Sequence, residues 1–240
     1  MEMIIKCPDC GKNMKVTVEE AYKPTYSIVR RFEEDELTWK NIARMVSLGA
    51  QEPLFGGLHV GNEIDCTLKD GTEVTFVVAH LNPYGENGAV LVLKDCLPDR
   101  HVMNEKCTNK GGWRDSDMRT YLKEKIYPLL PDDLKEHIRT RLIVQNHRGE
   151  ELRSEDDIWL ISRTEVFGGN NSVDVGDVHF DLFNDEKSRV KQIDGKTAWY
   201  SLRSPWSSTT ADFASVYYNG AETNFNANVS IGVSFGFLFA

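Results

Sequence analysis

Between Trp206 and Ala240 the chain changes character. The run WSSTTADFASVYYNGAETNFNANVSIGVSFGFLFA has no Lys, Arg, Met or Gln, and its charges are Asp212 and Glu222, in a chain whose charged fraction is 27%. Phe235, Phe237 and Phe239 close it at the two-residue period that turns every other side chain of a strand to one face. Such a strand has to be buried, so the frame must be built around it. The polar residues before it are then left for loops. Ser, Thr, Asn and Tyr make up 14 of the 35 residues, a composition like that of antibody-type binding loops. Tyr offers large, rigid contact area, and Ser and Asn offer adaptable hydrogen bonds. Asn both donates and accepts. A Gly/Asn-rich β region with no binding role would have a similar composition, and both readings can hold together.

Upstream, the elements are short and mixed. From Thr38 the pattern is helical, with Ile42, Met45 and Val46 on one face and Gly49 as the stop. Strands are expected around Ile64–Leu68 and Glu73–Leu81, joined by Lys69-Asp70-Gly71. AVLVL, Ala89–Leu93, reads as a central strand. Ser116 is the expected cap of a helix burying Met118, Leu122 and Ile126, and Pro131-Asp132-Asp133 opens a shorter helix through Ile138. IWLIS (Ile158–Ser162) reads as a strand and Thr164–Phe167 as a helical turn, with 168–196 a long surface excursion. Without a βαβ rhythm, this is an α+β fold.

The net charge of −9 argues against nucleic acid or anionic membrane as main partners. No apolar run reaches spanning length, so membrane insertion is not expected. MEMIIKCPDCGKNMK lacks the apolar core of a signal peptide, and five cysteines fit a reducing compartment. Synthesis in a cytoplasm is therefore expected, with the final location open. CPDCG (Cys7 to Gly11) is half a zinc knuckle. With no second C-x-x-C it is either metal-free or completed by residues outside the chain. Residues 1–25 form this arm and 26–240 the main domain. The six histidines are scattered without metal spacing, and GGLHVGN has no Lys-Ser/Thr to make a phosphate loop. The acids of DVGDVHFDLFNDE match no calcium loop. No nucleophilic or acid–base site assembles, so neither a catalytic residue, a metal nor a cofactor is expected.

Three segments occur in a characteristic order: GGWRDSDMRTYL (111–122), DDIWLISRTEVFG (156–168) and WYSLRSP (199–205), followed by G-V-x-x-G-F from Gly232 to Phe237. Together they resemble a family of bacterial and prophage proteins similar to C-type-lectin-fold domains of the formylglycine-generating-enzyme-like subtype. That group includes the variable proteins of diversity-generating retroelements, among them a phage tail-tip receptor binder. The resemblance covers roughly 40–240 and departs at Tyr200, where a second Trp is usual, and at Ser234-Phe235, where Arg-Pro is usual.

In such systems AAC or AAT codons are copied with their adenines randomised. These codons yield Asn, Ser, Tyr, Thr, Asp, Ala, Val, Ile, Phe or Gly, but never Lys, Glu, Gln, Met or Trp. From Ser207 to Phe237 Glu222 alone breaks that set. The resemblance places Phe213, Val216, Gly220, Gly232, Val233, Gly236 and Phe237 at scaffold positions. It implies a frame packed on Trp113, Trp159 and Trp199, a structural role for Arg203, and a variable region of about 206–237. The implied contact residues are Ser207, Ser208, Thr209, Thr210, Asp212, Ser215, Tyr217, Tyr218, Asn219, Ala221, Thr223, Asn224, Phe225, Asn226, Asn228, Val229 and Ile231. Tyr217, Tyr218 and Phe225 are the expected anchors. The expected function is non-enzymatic binding of a protein or glycan on another cell or particle. No calcium-lectin signature is present, so calcium-dependent sugar binding is not expected. The alternatives are a fixed structural prophage or cell-surface component and, third, an enzyme of the formylglycine-generating type, which would need late cysteines or metal-binding histidines.

Overall fold

The computed structural model describes residues 2–6, 13–17, 38–48, 58–85, 87–169 and 172–240. The chain divides into two units, Met1–Arg31 and Phe32–Ala240. In the first, β1 (Glu2–Lys6) pairs antiparallel with β2 (Asn13–Thr17). Cys7 and Cys10, the expected knuckle ligands, lie outside the described residues, as does the Gly49 stop.

The second unit opens with α1 (Trp39–Leu48), whose Ile42 and Val46, one turn apart, are buried. β3 (Glu63–Thr67) and β4 (Glu73–Leu81) are joined as expected. Gly71 supplies the left-handed φ of 88°, and Asp70 accepts the Thr72 N–H at 2.9 Å. β5 (Ala89–Leu93) is buried along its whole length. Ser116 caps α2 (Asp117–Tyr121) by accepting the Arg119 N–H, and the helix runs on as a π turn that buries Leu122 and Ile126. α3 (Asp132–Lys135) is one turn long, shorter than expected, because Ile138 belongs to β6 (Ile138–Arg139).

A long hairpin follows that sequence patterning missed: β7 (Arg141–His147) and β8 (Glu150–Asp156). Arg148 and Gly149 turn it with φ of 54° and 79°, the paired left-handed conformation that matches strand twist. Its buried positions include Arg141, Gln145, His147, Ser154 and Asp156. The alternation is real, but it is polar on the inside. β9 (Trp159–Leu160) covers only part of IWLIS, because Ser162 leaves the strand to cap α4 (Arg163–Phe167) in a reciprocal capping box with Glu165.

The expected surface excursion at 168–196 is corrected. β10 (Asp174–Val175) pairs with β7, and Phe180 and Phe183 on a single 3-10 turn are fully buried. Lys191, on the hairpin of β11 (Lys191–Ile193) and β12 (Lys196–Ala198), is also buried. The aromatic pair draws the segment onto the core, and Phe180 stacks on His80 at 5.7 Å.

The last strands are β13 (Tyr200–Pro205), β14 (Asp212–Val216), β15 (Glu222–Asn226) and β16 (Phe235–Phe239). The fold is mixed and mostly strand, with few helices and a curled half-barrel sheet. That sheet runs β3-β4-β5-β16-β6, with β9 also on β16, so the last strand lies in its interior. Phe237 sits opposite Leu91, and Phe239 opposite Ile138. Phe76 packs edge-on to Phe235 and Phe237 at 5.9 and 5.0 Å. Among the described residues no helix is long and apolar enough to cross a membrane.

Candidate functional site

The charge-poor tail is carried by a separate three-stranded sheet, β13-β14-β15, in which β14 is the middle strand and β15 an edge. Asp212 pairs with Asn226, Ala214 with Asn224 and Val216 with Glu222, so these six share a face by the two-residue alternation. Phe213, Ser215, Thr223 and Phe225 share the other. Exposure follows the strand order: β13 and β14 are buried, β15 is half-buried, and the flanking loops are open.

This sorts the expected contact residues. Ser207, Ser208, Thr210, Asn219, Asn226 and Asn228 are exposed, as are Tyr218 at 46% and Val229 at 38%. Thr209, Tyr217, Ala221, Thr223, Asn224 and Phe225 are half-buried. Asp212, Ser215 and Ile231 are corrections, because all three are buried. Asp212 lies inside the sheet, where its carboxylate accepts from Asn224 Nδ2 at 2.6 Å. Ser215 is flanked by Ser201 and Thr223 on the neighbouring strands. Ile231 exchanges backbone hydrogen bonds with His101. The expected scaffold residues Phe213, Val216, Gly220, Gly232, Val233, Gly236 and Phe237 are all buried.

Trp113 and Trp159 are fully buried frame residues, but Trp199 is not. It is half-buried at the surface, stacked between Tyr217 (5.0 Å, 16°) and Phe225 (4.9 Å, 24°). Tyr218 leans on Tyr217 at 4.3 Å. Most of the ring faces in this row cover one another, so Tyr218 alone of the four is largely open. Gly220, in the turn before β15, has φ +87° and sits so close to the 183–189 segment that a Cβ would lie 1.9 Å from the Glu186 carbonyl oxygen. Arg189 Nε donates to the Gly220 carbonyl at 2.9 Å.

Both tail charges are tied down. Arg163 at the start of α4 grips Glu222 with Nε and Nη2, a two-point guanidinium–carboxylate contact. An acid in a run without Lys or Arg called for a cation from elsewhere in the chain, and this was the available sequence signal for Arg163. The 206–212 loop is held from below by Asn109, fully buried, whose Nδ2 reaches the carbonyls of Trp206, Thr209 and Asp212 at 3.2, 3.0 and 2.9 Å. No sequence signal pointed to Asn109. Beside the loop a cleft of about 260 Å3 opens between Arg163, Glu222, Trp206, Ser207, Pro205 and Ala214.

Below the tail, charge is packed inside. Arg203 of β13 donates to both oxygens of Glu165, at 2.6 and 2.9 Å, to the Leu160 carbonyl, and to Asp177. Arg141 of β7 bridges the same two carboxylates and lies over the Tyr84 ring at 4.0 Å, while Tyr84 donates to Glu165. Burial opposes ionisation of Glu165, but Arg203 and Arg141 outweigh it and hold the carboxyl down at about 2. For Asp177 burial wins and pushes it up to about 6, against the pull of Arg203. Arg203 thus has the structural role expected of it.

A larger cleft, about 570 Å3, lies at the ends of β3, β4 and β5 and includes Asp65, Glu73, Lys94 and Asp194. Burial pushes the thiols on its walls, Cys66 and Cys96, up to about 11 and about 12, which removes them as nucleophiles at neutral pH. Among the described residues no group of three or more His, Cys, Asp or Glu is placed to hold a metal ion.

Residues 87–234 match a family described as a domain of unknown function (DUF6273). No curated protein and no solved structure matches the chain.

Proposed function

We propose, for a chain that belongs to the DUF6273 family, that it is a non-enzymatic binding protein with a C-type-lectin-like frame. Its C-terminal loops form the contact face toward a protein or glycan on another cell or particle. The observation that carries this reading is electrical. From Tyr217 to Val229 the face shows rings, amides and hydroxyls, and its one charge, Glu222, is engaged by Arg163. A buried interior strand and a bonded loop hold that face still, and a rigid paratope loses less entropy on binding.

Diversification by a retroelement is part of the proposal. Nine positions fit it: Tyr217, Tyr218, Asn219, Ala221, Thr223, Asn224, Asn226, Asn228 and Val229, none of them buried. Glu222, which randomised adenine codons cannot produce, is explained by its ion pair as a scaffold residue. The fixed structural reading has an observation of its own, since stacking on Trp199, which also stacks on Phe225, makes Tyr217, one of the nine positions, a packing partner.

Sequencing this gene and its flanks in sibling strains separates the two. The proposal expects differences confined to the nine positions, AAC- or AAT-derived codons there, and a near-copy beside a reverse-transcriptase gene. Identical residues at 217–229 across siblings would establish the fixed role. Binding itself is read with labelled full-length chain on whole cells or particles, where Tyr218→Ala should weaken attachment about tenfold.

A further inference from the structure

The cleft beside Trp206 points to a ligand class, and this step rests on the binding-face reading above. We infer that it seats one ring of a neutral saccharide. Its volume, about 260 Å3, is below the roughly 300–1,000 Å3 of pockets that take drug-sized molecules. One ring of a longer polymer fits that size; a nucleotide-sized cofactor does not.

The walls are of two kinds. Trp206, Pro205 and Ala214 give an apolar side, while Arg163, Glu222 and Ser207 give a polar one. A sugar ring is amphipathic in the same way, with C–H groups on its faces and hydroxyls at its rim. Trp206 is half-exposed and its backbone is held in place, because its main-chain N–H donates to the Asp212 carbonyl at 2.9 Å and its own carbonyl accepts from buried Asn109. The Arg163–Glu222 pair uses Nε and Nη2 of the guanidinium, so Nη1 and the remaining carboxylate lone pairs can serve hydroxyls, which donate and accept at once.

The other occupants fit less well. An anion would face Glu222 and a cation would face Arg163. An apolar side chain from a protein would cover the pair and leave its remaining hydrogen-bonding capacity unmet. Charge on the walls sums to zero, so attraction should change little with ionic strength.

Affinity electrophoresis of the full chain through neutral polysaccharides (a glucan, a galactan and a mannan) and through sialylated and uronate-containing ones tests this. The expected result is retardation by a neutral polysaccharide, unchanged by salt or by a chelator. Trp206→Ala should weaken it at least about tenfold, Trp206→Phe should keep most of it, and Leu142→Ala, at an exposed residue outside the cleft lining, should leave it intact. Circular dichroism of each variant separates lost binding from lost fold. Retardation only by the acidic polymers, disappearing in salt, overturns the inference. So does Tyr218-dependent attachment to cells that no neutral saccharide competes away; in that case the face still binds, and the occupant is a protein. Absence of both retardation and cell attachment removes the inference together with the binding reading.

Discussion

Around Arg203, two guanidiniums and two carboxylates lie beneath the surface with partners on nearly every polar atom, whereas the band from Tyr217 to Val229 meets solvent with amides, hydroxyls and rings. The usual placement of charge outside and neutral groups inside is locally reversed. The buried groups are mutually dependent, since removing any one leaves the others uncompensated. Those in the band have few bonds to lose. The first arrangement forbids exchange of residues and the second permits it, so the two regions can be told apart by how they respond to substitution.

The largest effect is expected at Arg203→Met. It leaves the buried carboxylates of Glu165 and Asp177 with Arg141 as their shared guanidinium and should cost about 3–5 kcal/mol in urea denaturation. An unchanged midpoint would break the contrast at its root. Next, Gly220→Ala combines a left-handed backbone with a direct clash against the Glu186 carbonyl, and roughly 2–3 kcal/mol should be lost. This places a fixed point inside the tail; tolerance of alanine there would mean the loop is not docked.

Acid titration sharpens the comparison further. Asp177 is raised from 3.8 to about 6 in the folded chain, so the stability linked to its protonation is complete below 3.8 and is lost as pH rises through 6. Glu165 goes the other way, from 4.5 to about 2, and its contribution is present above 4.5 and lost as pH falls toward 2. The urea midpoint should therefore rise slightly from pH 6 to about 4.5 and then drop. Asp177→Asn should abolish the rise and keep the drop. A steady fall from pH 6 in both proteins would refute the assignment. The smallest effects are expected for Asn226→Ala and Asn228→Ala, which should stay within about 0.5 kcal/mol in thermal unfolding. A loss of several times that would make them frame residues.

Legibility in the sequence followed the same division. α1, β3 to β5 and β16 could be read because apolar residues recur in phase with their geometry, as Ile42 and Val46 do on a helix and Phe235, Phe237 and Phe239 on a strand. β7 and β8 could not, since Arg141, Gln145, His147, Ser154 and Asp156 are buried, and an apolar count is blind to a polar interior. The glycine of Arg148-Gly149 was the available clue, since a two-residue hairpin turn needs positive φ. Within the tail, composition located the band but could not resolve faces. Asp212 and Ser215 are as polar as their exposed neighbours, and only their place on the middle strand hides them. Trp199 misled in the opposite sense, because a large aromatic reads as interior while here it is the middle ring of a surface stack.

The position of β16 has a consequence for synthesis. β5 and β9 flank a gap that residues 235–239 fill, so the half-barrel cannot close while the ribosome is still translating the 206–234 loops. A mutation that shifts the reading frame anywhere in 206–234 deletes the interior strand along with the loops. The product then lacks the strand that pairs with β5, β6 and β9, so an error of frame in the loops is at once an error in the core.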